Sequence, residues 1–455
     1  MNSAEFVKRI QRLQDELPID SYRLGNDNLW PLIRYSLGSI VVDGLPASQS
    51  GTASYSLSDR VSRIVKKART LFTDLRLSIY GGWKDSVHND VLRPAKNLFV
   101  SHSIRRTELN GIWYDIFFDT LIDQDSSITD YLTLELVVSN SLRIPRYRKS
   151  VYTNKALLWH TLGRTKINPV EVLWLDDVIA KAADCFEISP IKLRNTLLSS
   201  LKAFAKLKLY WQKTLNTVQP TTIYLVNWYS LPHLALSSVA SSKSIRVIDI
   251  QHGLQGHYHW MYGGWRLPAS GRFELLPEVF QVWGEAEQKA ISAWSNNHFH
   301  HADIVGNRWL NNSDDFFYQH GIKRQFIDFV KAQGDAVLYT HQWSDGQYFS
   351  KQVIAELLKQ SKTALVLIRI HPGRAHEIPQ VTMQLTEAGV TNFDIDNASV
   401  LPLPLLLSHV SLHITYNSST VIEAAQKGVK SLVFDPLAER YFAEQLASDM
   451  VTIAV

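Results

Sequence analysis

The sequence has a single cysteine, Cys185, among its 455 residues. One cysteine cannot form a disulfide within the chain and cannot build a zinc cluster, so we expect a protein of a reducing compartment. The chain also lacks an uninterrupted apolar run of about 18 residues, and its charged start, MNSAEFVKRI, is unlike a secretory signal. The net charge of +4 is too small for a nucleic-acid-binding protein of this length. These absences predict a cytoplasmic protein with no membrane-spanning helix and no nucleic-acid partner.

The composition is that of a globular protein, with 45% hydrophobic and 20% charged residues. A chain of this length exceeds what one ordinary core holds, so two or more domains are expected. From Asn97 onwards, predicted strands and helices alternate in two successive series, a pattern that indicates parallel sheets covered by helices. We therefore predict an α/β protein with two Rossmann-like domains facing a cleft. Their expected bounds are 96–310 and 311–455, after a mainly helical extension over 1–95.

One segment, 60–72, has the sequence RVSRIVKKARTLF. Apolar side chains such as Val61 and Ile64 are interspersed with basic ones such as Arg63 and Lys67, as in an amphipathic helix. Two interpretations stay open. The basic face can bind an anionic membrane surface at the inner side of the cytoplasmic membrane, or it can face water on an ordinary surface helix.

The last quarter of the chain carries the clearest candidate site. The stretch ALVLIRIHPG (364–373) predicts a strand that ends at Arg369 and His371, which are two positions apart and project to one side. The stretch SLHITYNSSTVIEAAQKG (411–428) predicts a strand and then a helix that opens on hydroxyl and amide side chains. Such a helix start presents unpaired N–H groups and the positive end of the helix dipole, which suit a phosphate. Glu423, one turn further on, can accept hydrogen bonds from ribose hydroxyls. The predicted nucleotide-binding residues are Arg369, His371, Pro372, Gly373, Asn417, Ser418, Ser419, Thr420 and Glu423.

A simpler interpretation of the same residues is ordinary helix capping by the NSS sequence next to a turn at HPG. Capping explains the NSS sequence, but it does not explain a basic pair at the end of the neighbouring strand. We therefore favour a phosphate or diphosphate site.

Two short motifs here, His371-Pro372 and Ser418-Ser419 followed by Glu423, resemble motifs of a known set of enzymes. The set is the bacterial GT-B-type glycosyltransferases of capsules, O-antigens and teichoic acids, which includes polysialyltransferases, Kdo transferases and CDP-glycerol-type polymerases. The resemblance covers the C-terminal series well and the N-terminal series loosely. It implies that His371 contacts the donor phosphate, that the serines bind phosphate or a neighbouring acidic group, and that the donor is CMP- or CDP-linked. The acidic motif that supplies the base of polysialyltransferases has no counterpart in the N-terminal half.

The catalytic candidates lie in the N-terminal series. His252 follows the predicted strand SIRVIDI, where a histidine can bond the donor diphosphate or polarise an acceptor hydroxyl. A loop histidine bonded to the backbone is the alternative. An inverting transfer needs a base that takes the acceptor proton, for which Glu108, Asp115 and Asp119 are candidates. Asp115 and Asp119 are predicted to share a helix face, and the alternative is that both simply solvate that face. The base itself is not fixed by the sequence.

The sequence DID at 394–396 matches a pattern that holds a divalent metal in another glycosyltransferase fold. Here it ends a short predicted strand, where a solvated edge is the simpler explanation. In a GT-B site the helix dipole and basic side chains stabilise the leaving diphosphate instead. We expect neither a metal nor a cofactor.

The predicted function is the metal-independent transfer of a sugar from a nucleotide donor to a growing surface polysaccharide. The expected partners are the nucleotide-sugar and a glycan or lipid-linked glycan acceptor. Three alternatives stay open, namely a CDP-polyol phosphotransferase that makes a teichoic-acid-like polymer, a UDP-sugar epimerase on the same scaffold, and a non-catalytic binding module.

Overall fold

A computed structural model of the chain describes residues 1–42, 90–136, 143–153, 173–341 and 349–454, with only the backbone at 372 and 373. The chain divides into two compact units. The N-terminal unit contains Met1–Arg106 and Asp115–Gly306, and the C-terminal unit contains Thr107–Tyr114 and Asn307–Val455. The amphipathic segment 60–72 lies outside the described residues, so its membrane contact stays a prediction.

The first 42 residues form two helices and a small hairpin. These elements are α1 (Ser3–Glu16), β1 (Arg23–Leu24), β2 (Asp27–Asn28) and α2 (Trp30–Val41). Phe6 and Trp30 are fully buried in the same core as the strands that follow. Buried Arg34 donates to the carbonyl oxygens of Trp260 at 2.8 Å and of Gly264 at 3.1 Å. Residues 1–42 are therefore an integral part of the N-terminal unit and not a separate extension, because their apolar faces need its core.

The N-terminal unit is built on a seven-stranded sheet. The strands that follow β2 are β3 (Asn97–His102), β4 (Arg106–Leu109), β5 (Ile112–Asp115), β6 (Tyr131–Leu136), β7 (Val151–Tyr152), β8 (Thr222–Val226), β9 (Arg246–Ile250), β10 (Val279–Val282) and β11 (His301–Ile304). The sheet order is β11-β10-β9-β8-β3-β6-β7, and all pairs are parallel. Long apolar runs in these strands are buried on both faces, as parallel sheets require.

Helices pack on this sheet. In chain order they are α3 (Phe118–Gln124), α4 (Leu175–Phe186), α5 (Pro190–Val218), α6 (Leu231–Ser242) and α7 (Glu285–Ser292). Helix α5 begins where the side chain of Ser189 accepts a hydrogen bond from the N–H of Lys192. Its buried stripe, which includes Leu197, Phe204 and Trp211, joins the main core of the unit.

Strands β4 and β5 form a separate antiparallel hairpin that belongs largely to the C-terminal unit. Asn110 and Gly111 make its two-residue turn, with φ angles of 49° and 80°. This left-handed pair is the type I′ geometry that matches the twist of a hairpin. Tyr114 on β5 stacks on Trp309 with ring centroids 5.8 Å apart and lies edge-on to Phe316 at the same distance. The hairpin is thus part of the packing of the C-terminal unit.

The C-terminal unit is built on a second parallel sheet, with the order β14-β13-β12-β15-β16-β17. Its strands are β12 (Ala336–Thr340), β13 (Leu365–Arg369), β14 (Phe393–Asp394), β15 (Leu412–Thr415), β16 (Lys430–Val433) and β17 (Val451–Ile453). Its described helices are α8 (Asp314–Gln319), α9 (Gln325–Ala332), α10 (Lys351–Gln360), α11 (Ile378–Glu387), α12 (Asp396–Val400), α13 (Leu403–Leu407), α14 (Thr420–Gln426), α15 (Ala438–Tyr441) and α16 (Ala443–Ala447). Each unit is Rossmann-like, so the expected two-domain α/β fold class is confirmed.

Both sheets reverse their strand order at one point. In the N-terminal unit the chain runs from β3 outwards to β7 and then returns to place β8 beside β3. In the C-terminal unit it runs from β12 outwards to β14 and returns to place β15 beside β12. Helices that leave such a pair of strands diverge, and the crevice beyond their carboxyl ends is where open α/β sheets bind ligands. The fold therefore offers one such crevice in each unit.

Among the described helices, none combines the length and the apolar composition that crossing a bilayer would need.

Candidate functional site

In the C-terminal unit, the predicted phosphate-binding residues lie directly after β15, at the reversal point. Ser418 is buried, and its Oγ accepts a hydrogen bond from the N–H of Thr420 at 3.2 Å. Ser419 stands at the N-cap position of α14 and makes no side-chain capping bond. The Asn417 amide donates to Asp435, which fixes the chain before the helix. Ser418 is thus the residue that caps the first turn of α14, and Asn417 holds the loop.

Arg369 and Glu423 interact through their charges, although they form no ion pair within 4.0 Å among the described residues. One guanidinium nitrogen of Arg369, at the end of β13, donates to the carbonyl oxygens of Ala398 at 2.8 Å and Leu401 at 2.6 Å. Its other nitrogens make no hydrogen bond within the described residues. Burial lowers the pKa of Arg369 to about 10, and the negative charge of Glu423 opposes that shift. Arg369 therefore closes the carboxyl end of α12 with one nitrogen and keeps donors for a second partner.

Glu423 lies in the first turn of α14. Burial raises the pKa of Glu423 to about 7, while Arg369 and a hydrogen bond from the Asn307 amide, 3.4 Å from Oε1, lower it. A carboxyl group in this state can be ionised by a modest change in its surroundings. Hydroxyl groups of a ligand that donate to it would supply such a change.

The HPG turn lies at the same end of β13. His371 is exposed, and its carbonyl oxygen accepts a hydrogen bond from the N–H of Arg374 at 2.7 Å. The backbone of Pro372 and Gly373 opens a short 3-10 helix, Pro372–Glu377. His371 thus lies exposed beyond the carboxyl end of the strand that also carries Arg369.

In the N-terminal unit, the reversal point holds a group of polar residues that we name the histidine–arginine cluster. Its members are His102, Arg105, Asn227, Tyr229, His233 and His252. The rings of His102 and His233 lie 5.3 Å apart, and the rings of Tyr229 and His252 lie 6.4 Å apart. His102 ends β3, Asn227 follows β8 and His252 follows β9, so the sheet order brings these distant segments together. Of these six residues, the sequence had identified only His252 as a site residue.

Each imidazole of the cluster is held in its neutral form. Burial lowers the pKa of His233 to about 4, and its Nδ1 lies 2.8 Å from the carbonyl oxygen of Asn227. Burial also lowers the pKa of His102 and His252 well below the usual value, and the charge of Arg105 lowers that of both further. Nε2 of His233 and Nδ1 of His252 are buried without a hydrogen-bond partner among the described residues.

Two of the predicted carboxylate bases, Asp115 and Glu108, are not members of the histidine–arginine cluster. The carboxyl group of Asp115 accepts hydrogen bonds from the hydroxyl of Ser101 and from the N–H groups of Phe117 and Phe118, both at 3.0 Å. These bonds fix the start of α3, so the geometry gives Asp115 a structural role. Glu108 is exposed on β4, in the hairpin that belongs to the C-terminal unit.

The expected helix through Asp115 and Asp119 is wrong, because Asp115 ends β5 and only Asp119 lies in α3. Both are buried, with 1% and 3% exposure, so they do not solvate a helix face. Asp119 instead joins a buried ion-pair group, in which Arg106 lies 2.8 Å from Glu135 and 3.4 Å from Asp119. Asp115 and Asp119 therefore have structural roles in the N-terminal unit.

The DID sequence caps a helix. The carboxylate of Asp394 accepts hydrogen bonds from the Asn397 amide at 2.8 Å and from the N–H of Ala398 at 2.9 Å, at the start of α12. Within the part of the chain that the structure describes, no group of three or more His, Cys, Asp or Glu residues is placed to hold a metal ion. The metal requirement stays a matter for experiment.

No protein-family model matches the chain, and no curated protein matches it. Among solved structures, it is similar to the UDP-GlcNAc 2-epimerase from Neisseria meningitidis bound to UDP-GlcNAc, with 15% identity, a TM-score of 0.45, and coverage of 78% of this chain and 86% of that one. The Methanocaldococcus jannaschii UDP-GlcNAc 2-epimerase gives 11% identity, a TM-score of 0.44, and coverage of 79% and 88%. The wall teichoic acid polymerase TagF gives 10% identity, a TM-score of 0.39, and coverage of 85% and 81%. At such scores, function has to be argued from the residues of this chain.

Proposed function

We propose that the protein is a glycosyltransferase that moves a sugar from a nucleotide donor to a growing surface polysaccharide. The C-terminal unit would bind the nucleotide and the N-terminal unit the acceptor. The observation that carries this proposal is the charge interaction between Arg369, at the end of β13, and Glu423, which accepts a hydrogen bond from the Asn307 amide and follows the Ser418 turn beyond the carboxyl end of the parallel sheet. Nucleotides bind at this place in open α/β sheets.

The groups present suit the parts of a nucleotide. The Glu423 carboxylate accepts hydrogen bonds from ribose hydroxyls, and the remaining donors of Arg369 bind phosphate oxygens. His371, exposed at the end of the same strand, supplies a further donor for the leaving phosphate. Positive groups fixed before the reaction stabilise the charge that develops as the sugar leaves, which is the main demand of this chemistry.

The N-terminal unit supports the second half of the reaction. His252 is neutral and lies beyond the carboxyl end of β9, where an acceptor hydroxyl can approach the sheet edge. A neutral imidazole can take the hydroxyl proton as the bond to the sugar forms. Burial and the charge of Arg105 lower the pKa of His252 and make it a weak base, so an anion bound beside Arg105 has to offset that charge. In the proposed mechanism His252 is then the base, and Asp115 is replaced in that role because its oxygens are already bonded.

Binding of nucleotides tests the proposed donor site of the C-terminal unit. We expect one of CMP, CDP, UDP, GDP and dTDP to raise the melting temperature selectively, with CMP or CDP favoured by the resemblance. The change Glu423→Ala should raise the Kd of that nucleotide roughly tenfold or more, since ribose hydroxyls lose a charged acceptor. Glu387→Ala, an exposed glutamate on α11, is the matched control. If no nucleotide stabilises the protein, the proposal fails.

The exposed pair His371 and His376 offers a second matched comparison. We expect His371→Ala to weaken donor binding and turnover with little change in melting temperature, and His376→Ala to change neither. Unfolding of the His371 variant would identify it as a structural residue.

Product analysis then fixes the type of reaction. A sugar transferase gives a polymer without new phosphorus, whereas a polyol phosphotransferase leaves one phosphate in the polymer per turnover. Conversion of the donor in the absence of any acceptor would indicate an epimerase. Either of these last two results would overturn sugar transfer while leaving the nucleotide site in place.

A further inference from the structure

We propose that the histidine–arginine cluster is a phosphate-binding site of the N-terminal unit, built around Arg105, and that it takes a phosphate group carried by the acceptor. The assignment of this phosphate to the acceptor rests on the proposed function. The phosphate site itself rests only on contacts within the N-terminal unit.

Arg105 carries the positive charge of the cluster, which Tyr229, Asp115, Tyr262 and Asp249 favour without forming an ion pair with it. It makes no ion pair with the described residues, and its Nε is buried without a hydrogen-bond partner. The guanidinium instead lies over the ring of Phe117, 5.6 Å from the ring centroid. A buried cation without a counter-ion is costly, and native proteins keep one where a ligand supplies the missing charge.

The nearest carboxyl groups are already used. Asp249 accepts hydrogen bonds from the Tyr262 hydroxyl at 2.7 Å and from the N–H of Trp228 at 3.1 Å. Burial raises the pKa of Asp249 to about 8, so at neutral pH it is largely uncharged. Asp115 is occupied at the start of α3, as described above. Neither carboxyl group forms an ion pair with Arg105, so the donors of its guanidinium group stay available for an anion from outside.

The histidines add neutral donors around this cation. His102 and His252 are each partly exposed, and both are close enough to Arg105 for its charge to lower their pKa. His233 is fully buried, and because its neutral ring carries its proton on Nδ1, which faces the carbonyl oxygen of Asn227, its Nε2 is an acceptor and adds no donor. The donors of the cluster are therefore the guanidinium fork of Arg105 and the imidazoles of His102 and His252. The set suits the several oxygens of a phosphate, for which the planar fork gives bidentate contact.

The position of the cluster in the sheet supports the binding of a ligand other than the nucleotide. His102 and Asn227 follow β3 and β8, the two strands between which the order of the N-terminal sheet reverses. The nucleotide site described above uses the corresponding point of the other sheet. Each unit thus has one ligand crevice of the expected kind, and the phosphate bound by the N-terminal unit is assigned to the second substrate.

The test is calorimetric titration of the full-length protein with inorganic phosphate, a hexose 1-phosphate and geranyl phosphate. Arg105→Met should weaken phosphate binding roughly tenfold or more, as expected for charge-assisted hydrogen bonds. Arg246→Met, an exposed arginine at the opposite end of β9, is the control and should change nothing. An Arg369→Met background removes the cation of the C-terminal site, and the effect of Arg105 should persist in it. Tighter binding of the hexose or the geranyl ester identifies a phosphosugar or a lipid-linked acceptor.

Stability distinguishes a binding residue from a structural one. Because Arg105 is uncompensated, Arg105→Met should melt at the same temperature as the wild type or higher, and Arg105→Lys should keep part of the phosphate affinity. A clear fall in melting temperature for the Met variant, or unchanged phosphate affinity, would overturn the site.

The two proposals can fail separately. If Arg105→Met weakens the nucleotide-sugar as strongly as phosphate, the anion is that of the donor and the assignment to the acceptor is wrong. If no nucleotide binds but phosphate binding still depends on Arg105, the proposed function fails and the phosphate site remains.

Discussion

Replacing Glu423 with glutamine should stabilise the C-terminal unit at alkaline pH and leave it unchanged at acidic pH. Burial raises the pKa of Glu423 from 4.5 to about 7, although Arg369 and the Asn307 amide favour its charged form. The folded protein thus holds a proton that the unfolded chain releases at lower pH. Glutamine has nearly the same shape as glutamic acid and never carries the charge.

The size of the effect follows from the two pKa values. Below pH 4.5 both states are protonated and the carboxyl group costs nothing. Between pH 4.5 and 7 the folded state binds more protons, so the free energy of unfolding falls as the pH rises, and above pH 7 the full cost is present. At about 1.4 kcal/mol per pH unit, the cost reaches up to ~3 kcal/mol. For a unit of this size it corresponds to roughly 6–12 °C in melting temperature.

The assay is urea unfolding of wild type and Glu423→Gln at pH 5, 6, 7 and 8, with hydrogen exchange of peptides from β13 and α14 to locate the change. The difference in unfolding free energy should grow from about a quarter of its full value at pH 5 to the full value at pH 8. Glu387→Gln should give no such trend. A variant that is less stable than wild type at pH 8 would refute the reasoning, because it would mean that Arg369 stabilises the carboxylate more than burial opposes it.

Three further predictions concern the fold and the metal. Arg106→Met should lower the free energy of unfolding by up to about 3–5 kcal/mol, because Glu135 and Asp119 then lose their shared buried partner and keep only Arg146 and Arg148, each at 3.6 Å; urea unfolding at pH 7 measures this, and a neutral effect would contradict it. Gly263→Ala should cost about 1–3 kcal/mol, since the added methyl would collide with the carbonyl oxygen of His257; an unchanged urea midpoint would show that this loop yields. Turnover should be the same with and without EDTA, and activity lost with EDTA and restored by magnesium would refute metal independence.

The alternation of strands and helices was readable from the sequence, especially in the C-terminal unit. Strands such as β13 are nearly continuous apolar runs between polar helix starts, because both faces of a parallel sheet are covered. Gly428 ends α14 with a φ of 74°, the left-handed conformation that a glycine at this position predicts. Local pattern was therefore sufficient for the fold class.

The hairpin at 107–114 was missed, although its signal was present. The Asn110-Gly111 pair is the usual two-residue turn of type I′, but the flanking strands are only four residues long. The spacing of four between Asp115 and Asp119 also fits one face of a helix, and this pattern led to the incorrect prediction of a helix through both residues. Short strands give too few alternations to outweigh it.

The candidate site was partly predictable for a different reason. Ser418 and Glu423 lie on a single strand–helix step, and Arg369 ends β13, which only β12 separates from β15 in the sheet. Arg105, His233 and His252 come from three distant segments that only the order β9-β8-β3 brings together. One sequence does not fix that order, and the lack of a counter-ion for Arg105 cannot be seen without the packing around it.

The hairpin has a consequence for any attempt to divide this protein. The C-terminal unit draws eight of its residues, 107–114, from the middle of the other unit's sequence. A fragment that starts at Asn307 would leave Trp309 and Phe316 without the ring of Tyr114 that covers them. On the ribosome, residues 107–114 are made roughly two hundred residues before the rest of the C-terminal unit, so that unit can complete its core only by packing against a segment synthesised much earlier.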